Sequence, residues 1–230
     1  MAEQLENEVT VPPIVERRRL ASPTVTPQAL AWHRGHLWMG SRDLRRVYQL
    51  EADTWRVVRE IEPPGIPWAA VSTGRELRFT IGIGGDDDRY IYRYTEGGDF
   101  EALFACPDFT GSYLSYDGED LYLSQWYKGR ILKLNANGEI LRTITIDGEI
   151  SGHAFVEGTI HVLRGTEQNG ENWSIARLDP RQERPVAKNL ATIPFACRSL
   201  AFDGQQFWSN HRAGNETISF VLPLSQAAST

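Results

Sequence analysis

Short apolar segments and tight turns alternate along this chain in a unit that recurs five times. The two clearest copies, residues 30–38 (LAWHRGHLW) and 200–208 (LAFDGQQFW), align without a gap and carry glycine at or near the turn. Residues 114–122 form a third copy, and residues 70–78 and 154–162 form two weaker ones. Each copy reads as a strand, a hairpin and a second strand, and repeats of roughly 40 to 50 residues are typical of a β-propeller.

The remainder of each unit supplies two more strands. A third strand, with apolar residues at alternate positions, recurs at residues 47–50, 91–94, 131–134, 175–178 and 218–221. A fourth strand follows at residues 55–61, 100–105, 140–146 and 186–193, but the last copy lacks it. The pattern therefore predicts an all-β, five-bladed propeller with four-stranded antiparallel blades.

The missing strand is predicted at the other end of the chain. Residues 14–20 precede the first inner strand, where a fourth strand stands in the other units, so they would complete the last blade and close the ring. Residues 1–230 then form one propeller domain, with residues 1–13 as a flexible arm. The alternative is that the whole N-terminal segment is an arm, because the run RRR at residues 17–19 is unusual in a strand.

The composition favours a soluble protein. Of the 230 residues, 41% are apolar, which suffices for one sizeable β core. No apolar run approaches the ~18 residues of a membrane span and no secretory signal is evident, so the expected location is cytoplasmic. The two cysteines, Cys106 and Cys197, are expected to be buried free thiols. The net charge of −6 argues against nucleic acid or an anionic membrane as partner, and we expect a monomer or weak homo-oligomer.

The repeat resembles that of a broad group of bacterial propellers. Residues 27–43, and the copies that begin at Ser112 and Arg198, are similar to the blade pattern P-x-G-L-A-W-D-G-x-x-L-W-V-A-D of lyase, lactonase and NHL-repeat-like proteins. The resemblance covers nearly the whole chain and implies the fold. It implies no single chemistry, because the group contains gluconolactonase-type hydrolases, streptogramin lyases, plant-type glutaminyl cyclases and non-catalytic binding proteins.

In a propeller, the starts of the inner strands and the ends of the second strands meet at one mouth of the central channel. The residues predicted to bind a substrate there are Gln28, Arg42, Trp68, Tyr113, Trp126, Arg164, Arg198, Asn210 and Arg212. Four arginines in one small ring suit a small organic acid, because a guanidinium offers a planar fork of donors that matches a carboxylate. The alternative is that each arginine pairs with a loop carboxylate such as Glu167, Asp43 or Glu62.

Two histidines at this mouth are the candidate catalytic residues. His153 lies in residues 151–155 (SGHAF), which are similar to the inner-strand start that carries a histidine in streptogramin lyases, and His211 lies on the adjacent blade. An imidazole there could transfer a proton near neutral pH. The alternative is that both are core histidines hydrogen-bonded to the backbone. The histidines expected to be structural are His33, His36 and His161.

No metal and no cofactor are predicted. Gluconolactonase-type propellers, to which the chain is similar, use a glutamate near the start of the first inner strand, where this chain has Gln28. Streptogramin lyases hold magnesium with glutamates after inner strands, and the nearest acid here is Glu167, in the loop after Arg164. Metal-free acid–base chemistry therefore remains, with arginine stabilisation of a developing oxyanion.

The leading hypothesis is a small, cofactor-free enzyme that acts on a carboxylate-bearing, cyclic or aromatic molecule. The reaction would be a proton transfer of the lyase, isomerase or cyclase type. A protein that binds or sequesters such an anion without turnover is the first alternative, and a propeller that binds other proteins through its outer surface is the second. The sequence cannot separate the first two hypotheses, because they share one pocket.

Overall fold

The computed structural model describes residues 11–84, 88–95, 97–166 and 172–223, and within them the chain forms five four-stranded antiparallel sheets. The N-terminal strand is β1 (Val15–Ala21). The first blade consists of β2 (Pro27–His33), β3 (His36–Ser41), β4 (Arg46–Glu51) and β5 (Arg56–Ile61). The second consists of β6 (Ile66–Ser72), β7 (Leu77–Gly82), β8 (Arg89–Tyr94) and β9 (Phe100–Ala105).

The other three blades repeat this order from the channel outwards. The third consists of β10 (Tyr113–Tyr116), β11 (Leu121–Gln125), β12 (Arg130–Leu134) and β13 (Ile140–Thr145). The fourth consists of β14 (Glu149–Val156), β15 (Thr159–Thr166), β16 (Asn172–Leu178) and β17 (Lys188–Ile193). The fifth consists of β18 (Cys197–Phe202), β19 (Phe207–His211) and β20 (Glu216–Val221), with β1 outside them. The predicted five-bladed propeller is confirmed.

The core lies between neighbouring blades. Among the described residues, five clusters of buried apolar side chains each join one pair of blades, and Phe79 and Trp208 are among the largest fully buried members. The inner strands approach one another so closely that only glycine fits at some positions. A Cβ atom on Gly152 of β14 would lie 2.6 Å from the carbonyl carbon of Ser199 on β18. This close approach leaves a narrow channel along the axis.

The N-terminal strand closes the ring as predicted. It pairs antiparallel with β20, from Val15 opposite Val221 to Ala21 opposite Glu216. The arginine run is compatible with this strand because β1 is the outermost strand of its blade, where long charged side chains reach solvent. Arg19, for example, forms a 2.6 Å ion pair with Glu216 on the neighbouring strand.

Part of the predicted N-terminal arm is also paired. The backbone amide of Thr192, on β17, donates to the carbonyl of Pro12 at 2.9 Å, and the amide of Ile14 donates to the carbonyl of Thr192 at 2.9 Å. The segment before β1 therefore adds to the edge of the fourth blade before it completes the fifth. Residues 1–10 lie outside the described part of the chain.

Two smaller expectations are met in the described residues. Cys106 and Cys197 are buried free thiols, and burial raises the pKa of each to about 12. Within the described ranges, no helix is long and apolar enough to cross a membrane.

Candidate functional site

Irregular pairing at the channel mouth decides which side chains face the axis. Four of the five inner strands have a β-bulge near their first residues, between Pro27 and Leu30, between Pro67 and Ala69, between Ile150 and Gly152, and between Arg198 and Ala201. A bulge places extra residues opposite the partner strand and turns their side chains in a new direction. Gln28, Trp68 and Ser151 lie in these bulges, and all three line one cavity at the mouth.

The mouth cavity has a volume of about 200 Å³. The predicted site residues that line it are Gln28, Arg42, Trp68, Tyr113, Trp126, Arg198 and Arg212. The structure therefore brings together most of the predicted substrate-binding residues, drawn from all the blades except the fourth. Their role in binding stays a prediction. The lining residues that the sequence did not single out are Arg89, Thr110, Ser112, Gln125, Tyr127, Lys128, Ile150 and Ser151.

The electrostatic character of the cavity is positive. No carboxylate of the described residues lines it. Five cationic side chains do, namely Arg42, Arg89, Lys128, Arg198 and Arg212. Two of them form ion pairs at the exposed rim, Arg42 with Asp43 at 2.9 Å and Lys128 with Asp108 at 2.5 Å. The predicted alternative, in which an arginine pairs with a loop carboxylate, is thus present for Arg42 and Asp43.

Arg89 contributes to the wall through an aromatic stack. Its guanidinium carbon lies 4.0 Å from the centre of the Trp68 ring, and Nη1 donates to the carbonyl of Gly111 at 2.8 Å. Both contacts orient a cation on a flat surface beside the cavity. Arg89 was not predicted from the sequence, because it begins the third strand of its blade and reaches the mouth only through the length of its side chain.

The deepest part of the cavity contains a polar cluster around a tyrosine. Arg212 Nη1 donates to Gln28 Oε1 at 2.8 Å, and Gln28 Nε2 donates to the carbonyl of Trp68 at 3.2 Å. Arg198 is 9% exposed and its guanidinium lies 5.1 Å from the Trp173 ring centre. Gln28 and Arg212 thus fix each other's orientation, and Arg198 Nη1 donates to the carbonyl of Cys197 at 2.9 Å.

The Tyr113 hydroxyl lies within reach of this cluster. Burial raises its pKa above the ordinary value, while the positive charge of Arg198, a hydrogen bond with Gln28 and the charge of Arg212 act in the opposite direction. The phenol is therefore protonated at neutral pH, and the groups around it stabilise the phenolate that it forms on losing a proton. Sequence reasoning named Tyr113 only as an aromatic wall, because nothing in the sequence indicates which groups face its hydroxyl.

His153 lies below the mouth cavity. The strand β14 begins at Glu149 and not at Gly152, so Ile150 and Ser151 occupy the mouth and His153 is 1% exposed inside the channel. Its Nε2–H donates to the carbonyl of Tyr113 at 3.2 Å, and its Nδ1 accepts from the Ser115 hydroxyl at 2.7 Å. Burial lowers its pKa to about 4. This geometry resembles the alternative foreseen for it, a neutral core histidine bonded to backbone.

Three other predicted site residues do not line the mouth cavity. His211 is bonded to Glu216 Oε2 through Nδ1 at 3.1 Å and packs on the Phe195 ring at 5.8 Å. Asn210 is fully buried, and its Oδ1 accepts from Thr217 at 2.9 Å. Arg164 donates to Asn189 Oδ1 and to two backbone carbonyls. Each side chain points into its own sheet or towards the neighbouring loop, because second-strand residues alternate between the two faces of a blade.

A metal site is not visible in the described residues. No group of three or more histidine, cysteine, aspartate or glutamate side chains there could hold a metal ion. Glu167, named above as a nearby acid, lies outside the described residues.

Comparison with known proteins shows the fold. The chain matches no protein-family model and no curated protein. It is similar to the glutaminyl cyclase of Myxococcus xanthus (TM-score 0.67, 12% identity, 91% of this chain and 98% of that one). It is also similar to a gluconolactonase of Xanthomonas campestris (0.63, 15%, 93% and 85%) and to a streptogramin B lyase (0.52, 18%, 89% and 67%). The resemblance inferred from the repeat is confirmed for the fold.

Proposed function

We propose that this propeller is an enzyme that transfers a proton to a small carboxylate-bearing molecule bound in the mouth cavity. The observation that carries the proposal is the buried Tyr113 hydroxyl beside Arg198, Arg212 and Gln28 at the base of a cationic cavity. The similar structures named above are enzymes by their titles, but at 12 to 18% identity they support the fold and not the reaction.

The arginines supply the binding energy for the anion. A carboxylate that enters the cavity exchanges water for charge-assisted hydrogen bonds with guanidinium groups, and these are stronger in a place shielded from solvent. The volume of about 200 Å³ is below that of ordinary drug-sized pockets, so a compact acid is favoured. Trp68 and Trp126 offer flat surfaces on which a ring of the substrate can lie.

Tyr113 is the proposed general acid. Its raised pKa keeps the phenol protonated at neutral pH, so it can donate the proton to negative charge that develops on the substrate. A C–H bond of the substrate first breaks with water as the proton acceptor, and its electron pair stays on the substrate as the anion. The O–H bond of the phenol then breaks as a new C–H bond forms, and the phenolate, stabilised by Arg198 and Arg212, takes back a proton from the hydronium ion. The same two arginines stabilise the developing substrate anion. His153 then acts as a positioning residue, because it bonds to the Tyr113 carbonyl.

The first test measures anion binding. Thermal shifts with matched pairs of acid and amide, such as benzoate and benzamide, should be seen for the acids alone. At about 100 times Kd the linked stabilisation is about 2.7 kcal/mol, which raises the melting temperature by about 5–11 °C for a chain of this size. Arg198→Gln should weaken binding at least tenfold. Arg164→Gln is the matched control, because that arginine does not line the cavity.

The second test measures proton transfer. Acids that bind should exchange a carbon-bound hydrogen for deuterium in D₂O when the wild-type protein is present, as followed by NMR. Tyr113→Phe should lower the rate of this exchange by ~10²-fold or more. It should leave the Kd of the acid within about threefold of the wild-type value. Binding without exchange would establish the alternative, a protein that binds such anions without turnover. Absence of any acid-specific shift would overturn both readings of the cavity.

A further inference from the structure

A second cavity lies on the opposite face of the ring, between the first and second blades. Its volume is about 640 Å³, larger than that of the mouth cavity. The β2–β3 and β6–β7 hairpins, the outer strand β5 and the end of β8 form its walls. The lining residues are His33, Arg34, Trp38, Gln49, Arg59, Arg75, Glu76, Leu77, Arg93, Tyr94 and Thr95.

The second cavity is cationic within an acidic protein. Four arginines and one described carboxylate line it. The carboxylate, Glu76, forms an ion pair with Arg78 outside the cavity, and Arg93 forms one with Glu101. Arg59 and Arg75 have no carboxylate partner among the described residues, and both are exposed. Arg59 and Arg75 therefore contribute positive charge to this cavity that the described carboxylates do not pair with.

The floor of the second cavity is aromatic and carries two donors that lack acceptors. The rings of Trp38 and Tyr94 lie 5.5 Å apart with 57° between their planes. Trp38 Nε1 and the Tyr94 hydroxyl are both buried and have no hydrogen-bond partner among the described residues. An indole N–H can only donate, so the missing group at Trp38 is an acceptor. Buried polar groups left unpaired are uncommon in folded proteins because each one is unfavourable, and a pair in one cavity points to a ligand.

Arg59 covers this floor. Its guanidinium carbon lies 5.9 Å from the centre of the Tyr94 ring, and Gly98 packs beside both groups. A Cβ atom on Gly98 would lie 3.0 Å from Arg59 Nη2 and 3.6 Å from the Tyr94 hydroxyl oxygen.

We propose that this second cavity binds an aromatic molecule that carries a phosphate-like, multiply charged group. The arginines bind the charged group, the Trp38 and Tyr94 rings accommodate the aromatic part, and the two orphan donors bind its acceptor atoms. A nucleoside monophosphate combines these features at a size that ordinary ligand cavities of about 300–1,000 Å³ accept. The site is separate from the mouth cavity, because it lies at the other ends of the same inner strands.

The test uses adenosine 5′-monophosphate as the probe, with adenosine and inorganic phosphate as its two halves. Isothermal titration of the full chain should give a Kd for the monophosphate at least tenfold below that of either half. Arg75→Gln should raise this Kd about tenfold. Arg56→Gln, on the same outer strand as Arg59 but outside the cavity, should leave it unchanged, and so should Arg198→Gln at the mouth.

A second variant separates binding from folding. Tyr94→Phe removes one orphan hydroxyl, so the free protein should melt at the same or a higher temperature while the Kd rises severalfold. Failure of the monophosphate to bind would overturn the proposal. Binding that survives Arg75→Gln, or that is lost with Arg198→Gln, would overturn it as well, because the probe would then occupy another place.

Discussion

The cavities on the two faces of this propeller are both lined by positive charge. They differ in whether their polar groups are already hydrogen-bonded within the protein. At the mouth, Gln28 and Arg212 bond to each other and surround Tyr113, so the polar groups are oriented before any ligand arrives. On the opposite face, Trp38 and Tyr94 each have a buried donor with no acceptor in the described part of the chain. An oriented cavity suits catalysis, where groups must not reorganise during the reaction, whereas an incomplete one suits binding that a ligand completes.

No aspartate, glutamate, lysine or arginine of the described residues lines the channel between the two faces. Its lining includes Leu30, Leu114 and Leu200 on three inner strands, with His153 among them. Because burial lowers the pKa of His153 to about 4, this imidazole is neutral at pH 7 and the axis carries no charge there. The charges at the mouth are therefore confined to one end of the channel.

Loss of the closing strand should disrupt the folded ring and with it the cavities on both faces. Deleting residues 1–21 removes β1, exposes the edge of β20 and leaves the fifth blade with three strands. We expect aggregation or loss of the cooperative melting transition, measured by size-exclusion chromatography and circular dichroism. Deleting residues 1–10 is the control and should leave the melt unchanged. A soluble, monomeric deletion with the wild-type melting temperature would contradict closure by β1.

A methyl group between the inner strands near the mouth should lower the free energy of unfolding. In Gly152→Ala the new Cβ meets the Ser199 backbone at 2.6 Å, so β14 and β18 must separate. Overpacking of this kind costs about 1–3 kcal/mol, which urea unfolding would show. Gly158→Ala is the control, since its turn has φ +77° but nothing within 4 Å of the added atom. Equal losses for the two variants would mean that backbone strain, not packing, determines the effect.

Mild acid should lower the free energy of unfolding through two buried histidines. The folded protein holds His153 and His161 neutral with pKa values of about 4, against about 6.5 when unfolded. Their contribution to stability is complete above pH 6.5 and is lost as the pH falls towards 4, because only the unfolded chain then takes up the protons. Between pH 7 and 5.5 this is about 1 kcal/mol per histidine. In His153→Gln the pH dependence of urea unfolding should be about half as steep, and an unchanged dependence would exclude His153 as a source.

The more buried arginines of the mouth should contribute more to the affinity for an acid. Arg42 is paired with Asp43 at the exposed rim, whereas Arg212 is bonded to Gln28 inside the cavity. Arg42→Gln should therefore weaken binding of a probe acid less than threefold, and Arg212→Gln at least tenfold, by titration calorimetry. Equal effects would indicate that the acid sits at the rim.

The architecture of this protein could be predicted from its repeat pattern. The turn glycines, the period-two alternation and the absence of a fourth strand in the last unit together predicted five blades and a closing strand, and β1 begins one residue from the predicted start. These features are local, since each blade is built from consecutive hairpins whose register follows from the hydrophobic pattern. The same register placed Arg198, Arg212 and Tyr113 near one mouth.

The tertiary structure alone decided which side chains share a cavity. The bulge at Ser151 and the early start of β14 place His153 inside the channel, and no feature of the sequence marks a bulge at that position. The reach of Arg89 to Trp68 and the orphan donors of Trp38 and Tyr94 depend on how one blade packs against the next. Hydrophobic periodicity specifies the face of a strand, but the contacts across blades arise from twist, bulges and side-chain length acting together.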